Sequence, residues 1–227
     1  MFSEIARRYD FFNHLLSLGF DYSWRRRAIQ VLQERWAPRV PAERPCILDL
    51  ACGTGDLSFE ALRQVANADV TGVDLAEPML ELFKKKAARN GVRLTIEKGD
   101  VEALRFADNS FHGATIGFGT RNFTDLLTAF REIHRVLRPG GAFVNLELAR
   151  PRAFPMKQLY RFYFDLLLPR VARLFSGDRS AYRYLPDSLR RFPDLERLAA
   201  IMEEAGFREV KWETRTAGIV AIHSAIK

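Results

Sequence analysis

Short apolar runs alternate with longer stretches of helical periodicity along the middle of the chain. The pattern predicts strands over 46–51, 69–74, 93–97, 114–118 and 142–148, separated by helices over 57–65, 78–90 and 124–137. Such alternation is typical of βαβ units and a parallel sheet. Near the end, a helix over 195–205 precedes two strand-like runs, 207–214 and 219–225. The pattern therefore predicts an α/β fold, a doubly wound and mostly parallel seven-stranded sheet with a C-terminal antiparallel hairpin and helical additions.

Two segments lie outside this alternation. Residues 1–36 are helical and rich in aromatic side chains, and residues 150–192 interrupt the last βα unit. We interpret residues 1–227 as a single domain, in which 1–36 form a helical lid and 150–192 form a basic aromatic insertion. A chain of 227 residues suits one domain with a substantial core.

The composition excludes several classes of protein. Cys46 and Cys52 are the only cysteines, too few for a disulfide framework, and no Cys/His cluster completes a zinc site. The N-terminus lacks the apolar stretch of a signal peptide and carries an early Glu4, and no run reaches the ~20 apolar residues that cross a bilayer. We expect a cytoplasmic protein, and the sequence offers no site for a metal ion.

The distribution of charge changes this picture. Ten Lys and Arg face three acids within 150–192, so this segment holds the whole net charge of +7. Arg161, Arg170 and Arg173 stand among many Tyr, Phe and Leu residues. Such a segment is either an interfacial element drawn to anionic lipid, on the inner face of the membrane, or a buried packing helix with solvated arginines. No RNA-binding module is visible, so a nucleic-acid partner is not expected.

A glycine-rich loop follows the first predicted strand directly. Asp49 ends a buried run, and Gly53, Thr54 and Gly55 then lead into a helix. Glycines allow the backbone to turn tightly and approach a ligand, and the helix start offers free N–H groups. A dinucleotide site would require a third glycine, where Ser58 stands. The loop therefore favours a ligand without phosphates, such as S-adenosylmethionine.

Two acids follow the next strands. Asp74 ends the second strand nineteen residues after Gly55, where a carboxylate can accept both ribose hydroxyls; capping the next helix is the alternative. Asp100 follows the third strand and suits a hydrogen bond to an adenine amino group, with Val101 packing on the ring; a plain turn aspartate is the alternative. With Pro139-Gly140-Gly141, these landmarks resemble the Rossmann-like class I methyltransferases.

More specific motifs lie outside this common core. They are Phe2 to Asp10 with Asn13, Phe118-Gly119-Thr120-Arg121-Asn122, Leu146-Glu147-Leu148 through Pro151, Tyr182 to Ser188, and Gly218 to His223. Together they span nearly the whole chain and resemble the ubiquinone/menaquinone-biosynthesis C-methyltransferase family. The resemblance implies methyl transfer from S-adenosylmethionine to a ring carbon of a prenylated hydroquinone, demethylmenaquinol or the corresponding ubiquinone precursor.

The resemblance also implies cofactor contacts at Thr54, Asp74, Asp100, Val101 and position 117. Gly117 stands where many members have Ser, so its contact would be through the backbone. Thr120, His112-Gly113 and Leu148-Ala149 also depart from the family pattern. These departures leave the reaction intact but put the exact substrate in question.

The chemistry requires stabilisation of a phenolate. A ring carbon becomes nucleophilic when the neighbouring hydroxyl is deprotonated, and the enzyme must align both groups and exclude water. Arg121 follows the fourth strand; a guanidinium stays protonated, so a phenolate-stabilising role suits it better than that of a base. Asn122 would position it, and a surface ion pair is the alternative for Arg121. His14 is a candidate proton acceptor by its pKa.

Other candidates lie in the two flanking segments. Tyr9 and Asn13, in the expected lid, and Tyr182 and Tyr184 are candidate substrate contacts, although core aromatics would look the same. Two further histidines are more consistent with the core: His134, on the apolar face of its helix, and His223, in a terminal strand.

Two rival functions remain open: methylation of another small aromatic or lipid, at oxygen as well as at carbon, and a cofactor-binding accessory protein without turnover. The expected partners are an isoprenoid hydroquinone and, transiently, an anionic membrane surface. A homodimer is compatible with the sequence, which determines neither the ring type nor the oligomeric state.

Overall fold

The computed structural model describes residues 17, 19–155, 158, 188–189 and 191–227. Its sheet has seven strands in the order β3-β2-β1-β4-β5-β7-β6. Strands β1 to β5 run parallel, and β7 pairs antiparallel with both β5 and β6. The strands are β1 (Cys46–Leu50), β2 (Asp69–Asp74), β3 (Thr95–Lys98), β4 (Phe111–Gly117), β5 (Leu137–Leu148), β6 (Arg208–Arg215) and β7 (Val220–Ile226). The predicted doubly wound fold with a C-terminal hairpin is confirmed.

Helices cover both faces of the sheet. They are α1 (Phe20–Trp36), α2 (Asp56–Gln64), α3 (Glu77–Arg89), α4 (Leu126–Val136) and α5 (Leu195–Glu204). One core joins α1 and α2 to residues such as Val144 and Ile222, and the other joins α4 and α5 to Phe143 and Ala225. Because side chains alternate along a strand, neighbouring residues of β5 serve opposite layers.

Helix α1 is a layer of the core. Ala28, Ile29 and Leu32 are fully buried, and Leu32 lies where a side chain on Gly113 of β4 would be. Residues 20–36 of the predicted lid are therefore part of the core. The lid stays a prediction for residues 1–19, of which the structure describes only Ser17 and Gly19.

The start of β5 differs from the prediction. The sequence predicts that Pro139-Gly140-Gly141 separates a helix ending at Leu137 from a strand beginning at Ala142. Helix α4 instead ends at Val136, and β5 begins at Leu137, which pairs with Phe111 before the register shifts. A Cβ on Gly141 would lie 2.8 Å from the carbonyl oxygen of Arg138. The glycine therefore serves a tight irregularity within the strand rather than a turn before it.

Candidate functional site

The candidate cofactor and catalytic residues within the described part of the chain meet at one edge of the sheet. Parallel strands β1 to β5 end at this edge, and the strand order reverses between β1 and β4. In open α/β sheets, ligands bind outside the carboxyl ends of the strands at such a switch point. The sequence and the topology therefore indicate the same location.

The glycine-rich loop after β1 is shaped by left-handed backbone conformations. Gly53 and Gly55 have φ values of 54° and 85°, and Ala51 also has a positive φ of 49°. A Cβ on Gly55 would lie 2.0 Å from the ring of Phe83, so packing as well as φ requires glycine there. Around Gly53, by contrast, the space that a Cβ would enter is open. The loop thus presents accessible backbone at Gly53, as close approach by a ligand requires.

Asp74 braces this loop. Its Oδ2 accepts a hydrogen bond from the Gly53 N–H at 2.8 Å, and its Oδ1 accepts one from the Ala76 N–H at 2.8 Å, where α3 begins. The second bond closes a turn that leads into α3, but the N-cap of the helix is Ala76, so Asp74 does not itself cap α3. Each carboxylate oxygen can accept more than one hydrogen bond, so ribose binding stays a prediction for the same side chain.

Asp49 lies beneath the loop with 1% of its surface exposed. Its oxygens accept hydrogen bonds from Ser58 Oγ at 2.6 Å and Thr115 Oγ1 at 3.0 Å. Burial raises the pKa of Asp49 to about 6, against the opposing effect of these hydroxyl donors. Asp49 thus connects β1 with β4 and with the first turn of α2.

A cluster of charges that the sequence analysis did not single out surrounds the loop. Asp56 forms ion pairs with Arg25 at 3.0 Å and with Lys86 at 2.7 Å, and Lys86 also donates to Thr54 Oγ1 at 3.3 Å. Arg25, which is buried, also pairs with Asp21 in α1. No pattern in the sequence links Arg25 to the loop. The cluster fixes α1 against the start of α2.

A cleft of about 50 Å³ opens at this loop. Its lining includes Arg25, Thr54, Gly117 and Phe118. Phe118 has a positive φ of 59° and packs edge-on against Trp24 at 6.2 Å between ring centroids. A Cβ on Gly117 would lie 2.5 Å from Leu57, which explains glycine at this position. Backbone strain of this kind is typical of ligand sites.

Asp100 and Val101 follow β3 further along the edge. Asp100 Oδ1 accepts a hydrogen bond from the Glu102 N–H at 2.9 Å and caps a short 3-10 helix, Val101–Ala103. Val101 is buried in the core on the α4 side. The turn role of Asp100 is thus present, and the adenine contacts of both residues stay predictions.

Arg121 belongs to a buried ion pair. Its Nη1 donates to Glu147 Oε1 at 2.5 Å, and its backbone N–H donates to Glu147 Oε2 at 3.3 Å. Arg121 and Glu147 side chains are 11% and 2% exposed, so the pair is not the surface ion pair considered as an alternative. Neighbouring Thr120 donates to the buried Asn145 Oδ1, and the Asn122 N–H donates to Gly119. These contacts hold the turn that carries Arg121 against β5.

A larger cavity of about 340 Å³ lies beside this ion pair, at the carboxyl end of β5. Glu147 and His223 line it, with apolar side chains that include Leu148, Leu189 and Phe192. Its size falls within the range of small-molecule sites, about 300–1,000 Å³. The ion pair of Arg121 therefore borders a space that can hold a ring.

The two histidines expected in the core behave as structural residues. The ring of His134 packs edge-on against Phe207 at 5.2 Å. His223 is buried, its Nε2 lies 3.0 Å from the Leu195 carbonyl oxygen, and burial lowers its pKa to about 4. Because a carbonyl only accepts, the neutral ring carries its proton on Nε2.

Five predicted site residues lie outside the described residues. They are His14, Tyr9, Asn13, Tyr182 and Tyr184. Their roles stay predictions from the sequence.

The described edge fits S-adenosylmethionine in its chemistry. The start of α2 offers backbone N–H groups, and carboxylates stand after successive strands at Asp74 and Asp100. Across the described ranges, no group of three or more His, Cys, Asp or Glu side chains is placed to hold a metal ion.

Comparisons with known proteins agree with this geometry. The model of the ubiE/COQ5 methyltransferase family matches residues 1–227. A demethylmenaquinone methyltransferase of Thermus thermophilus is 45% identical over 98% of both chains. The ubiquinone/menaquinone biosynthesis C-methyltransferase UbiE of Geobacter sulfurreducens is 42% identical, covering all of this chain and 87% of the relative.

The fold is shared more widely. A crystal structure of an S-adenosylmethionine-dependent methyltransferase from Thermotoga maritima superposes with a TM-score of 0.66 over the whole of both chains, at 19% identity. The full-length family match and the close relatives are more specific. The chain therefore belongs to the ubiE/COQ5 methyltransferase family and is an S-adenosylmethionine-dependent C-methyltransferase.

Proposed function

We propose that the protein methylates a ring carbon of a prenylated hydroquinone, with demethylmenaquinol as its substrate. The observation that carries this proposal is the buried Arg121–Glu147 pair beside the cavity at the end of β5. A fixed guanidinium at the edge of a ring-sized space suits stabilisation of a phenolate. The 45% identical relative from Thermus thermophilus is named a demethylmenaquinone methyltransferase.

The ubiquinone precursor is the second candidate substrate. The Geobacter sulfurreducens relative bears a name that covers both quinones, at a similar identity of 42%. Both hydroquinones carry a hydroxyl next to the carbon that is methylated, so the same residues would serve either ring.

The cofactor is proposed to lie along the edge from Asp100 to Gly117. Asp74 accepts the ribose hydroxyls while bracing Gly53, and Asp100 and Val101 contact the adenine. The wall of the cofactor site near the sulfonium is formed by Thr54, Gly55 and the backbone of Gly117. Asp49 supports the glycine-rich loop from beneath. When bound, the cofactor supplies an electrophilic methyl group on sulfur.

The chain's own residues perform the rest of the chemistry. Arg121 stabilises the negative charge that develops on the ring oxygen, and Asn122 helps to position the turn. Tyr9 and Asn13, with Tyr182 and Tyr184, are proposed to contact the substrate. Exclusion of water by these flanking segments would strengthen the interaction between Arg121 and the phenolate.

The protein is also proposed to bind the cytoplasmic face of an anionic membrane transiently. No helix within the described ranges is long and apolar enough to span a bilayer. The basic, aromatic segment 150–192 would bring the active site to a substrate dissolved in the membrane. Of its arginines, Arg152 is already paired with Glu196. A homodimer is compatible with this arrangement.

A comparison of two reduced substrates tests the function. The purified protein is given S-adenosylmethionine and either demethylmenaquinol or the demethylated ubiquinone precursor, under anaerobic conditions. We expect the larger kcat/KM with demethylmenaquinol. A larger value with the benzoquinol would favour the second candidate, and tight cofactor binding without turnover of either would favour the accessory protein.

A further inference from the structure

Glu147 is a buried acid in the middle of the reaction site, and the role proposed for Arg121 does not account for all its contacts. The carboxylate accepts hydrogen bonds from the Arg121 guanidinium, the Arg121 backbone and the Leu148 N–H, the last at 2.9 Å. A buried charge requires this degree of pairing. We propose that Glu147 is a catalytic residue: its carboxylate accepts the hydroxyl proton of the hydroquinone while it orients Arg121.

The position of Glu147 supports contact with the substrate. Glu147 lines the 340 Å³ cavity, whereas Gly117 and Phe118 line the cleft at the glycine-rich loop. Gly117 is in register with Leu146, and the Phe118 N–H donates to the Leu146 carbonyl at 2.8 Å. Glu147 is therefore one residue beyond Leu146, at the carboxyl end of β5, where the neighbouring strand β4 also ends. A ring in the cavity could present a hydroxyl to Glu147, which lines it.

The ion pair allows the charge to move without leaving a lone ion. Before transfer, Arg121 is paired with the Glu147 carboxylate. When the proton passes from the hydroxyl to Glu147, the carboxyl becomes neutral and the new phenolate takes its place beside Arg121. One ion pair is thus exchanged for another inside a buried site, which avoids the cost of an unpaired charge.

The bonds balance over a complete turnover. The hydroxyl O–H bond breaks, and the oxygen keeps the electron pair. The adjacent ring carbon then forms a bond to the methyl carbon, while the methyl–sulfur bond breaks and its electrons stay on sulfur. The ring carbon loses its own proton to water, and Glu147 returns its proton to the ring oxygen. One proton is released for each methyl group transferred.

The other groups around the cavity are less suitable acceptors. Among the described residues other than Arg121, the charged or titratable groups that line the cavity with Glu147 are Arg150, Arg152, Asp194 and His223. Arg152 and Asp194 lie beside each other near Glu196, and Asp194 caps α5. Nε2 of His223 is directed at the Leu195 carbonyl oxygen and its Nδ1 is buried, so neither ring nitrogen is open to a substrate in the cavity.

The test compares the pH dependence of kcat in Glu147→Gln, Glu147→Asp and the wild-type protein. Gln keeps an acceptor for Arg121 and Leu148 but cannot take a proton. We expect Glu147→Gln to lower kcat at least ~100-fold near neutral pH, a typical loss for a general base. Its kcat should then rise about tenfold per pH unit as the bound hydroquinone ionises, whereas the wild-type value changes little. Glu147→Asp should be slower than wild type but keep the wild-type profile.

The controls separate this role from a structural one. Glu213 on β6 pairs with Arg27 of α1 and lines neither the cavity nor the cleft, so Glu213→Gln should leave the pH profile of kcat unchanged. Cofactor affinity by calorimetry should stay within about twofold of wild type in Glu147→Gln. An equal loss of kcat at every pH would overturn the proposal. So would a steep rise with pH in folded Glu147→Asp, which decides the question if the Gln variant does not fold.

This inference rests on the proposed function, but the two can fail separately. Absence of methyl transfer by the wild-type protein to any hydroquinone would refute the function. Normal wild-type turnover together with wild-type kcat in Glu147→Gln would refute only the role of Glu147.

Discussion

Replacement of Asp49 by Asn should stabilise the protein relative to wild type, and this gain should be larger at neutral pH than at acid pH. Burial raises the pKa of Asp49 from its ordinary 3.8 to about 6. At about 1.4 kcal/mol for each pKa unit, this shift corresponds to about 3 kcal/mol. Well below its ordinary pKa of 3.8, the carboxyl is protonated in both folded and unfolded chains and carries no penalty. As the pH rises through about 6, the folded wild-type protein must bury the charge and loses this stability.

The assay is urea unfolding between pH 4 and 8. Asn keeps the shape of the side chain, and the hydroxyls of Ser58 and Thr115 can turn to donate or accept. The difference in free energy of unfolding, variant minus wild type, should therefore increase from pH 4 and level off above pH ~7 after a gain of about 2.5 kcal/mol. Asp125→Asn is an opposite control, because hydrogen bonds from Thr128 lower the pKa of Asp125. A difference for Asp49→Asn that is independent of pH would refute the reasoning.

Three further variants test the site. Asp74→Ala should weaken S-adenosylmethionine binding by at least ~1.5 kcal/mol in calorimetry, and unchanged affinity in the folded variant would remove Asp74 from the cofactor site. Arg121→Lys keeps the charge but loses the planar fork that meets Glu147, so turnover should fall at least ~100-fold with cofactor affinity nearly intact; equal losses in both would indicate a structural role. Arg170/Arg173→Gln should weaken flotation with anionic liposomes, each arginine contributing about 1 kcal/mol, while turnover of a short-chain soluble substrate stays normal. Loss of that turnover with flotation retained would instead place the segment in the pocket wall.

The fold was accessible from the sequence because its signals are local. Apolar runs and amphipathic periodicity depend on neighbouring residues, and the predicted strand at 69–74 coincides with β2. The start of β5 was misplaced because proline and glycines usually mark a turn. Only the pairing of Leu137 with Phe111, a contact distant in sequence, shows that the strand begins earlier.

The cofactor loop was predicted for a similar reason, and its supporting contacts were not. Glycines between a strand and a helix signal a ligand loop within a few residues, whereas Arg25 reaches Asp56 from a helix thirty residues earlier. Asp74 was expected to bind ribose, yet its hydrogen bond to Gly53 joins two separate strand ends. Such contacts depend on the packed sheet rather than on spacing.

The ion pair beside the cavity illustrates the same limit. A charged residue inside the buried run Leu146-Glu147-Leu148 is a signal in itself, because a buried carboxylate needs a partner. The sequence contains this signal but does not identify the partner, since Arg121 is 26 residues away. The partner becomes evident only when β4 and β5 lie side by side.

The position of the transferred methyl group tests the central claim most directly. Demethylmenaquinol is incubated with S-adenosylmethionine that carries a 13C-labelled methyl group, and the product is examined by NMR. The account predicts one labelled methyl signal, bonded to a carbon of the quinone ring and absent without the protein. A labelled methoxy signal, or no label in the quinone while the cofactor still binds, would contradict it.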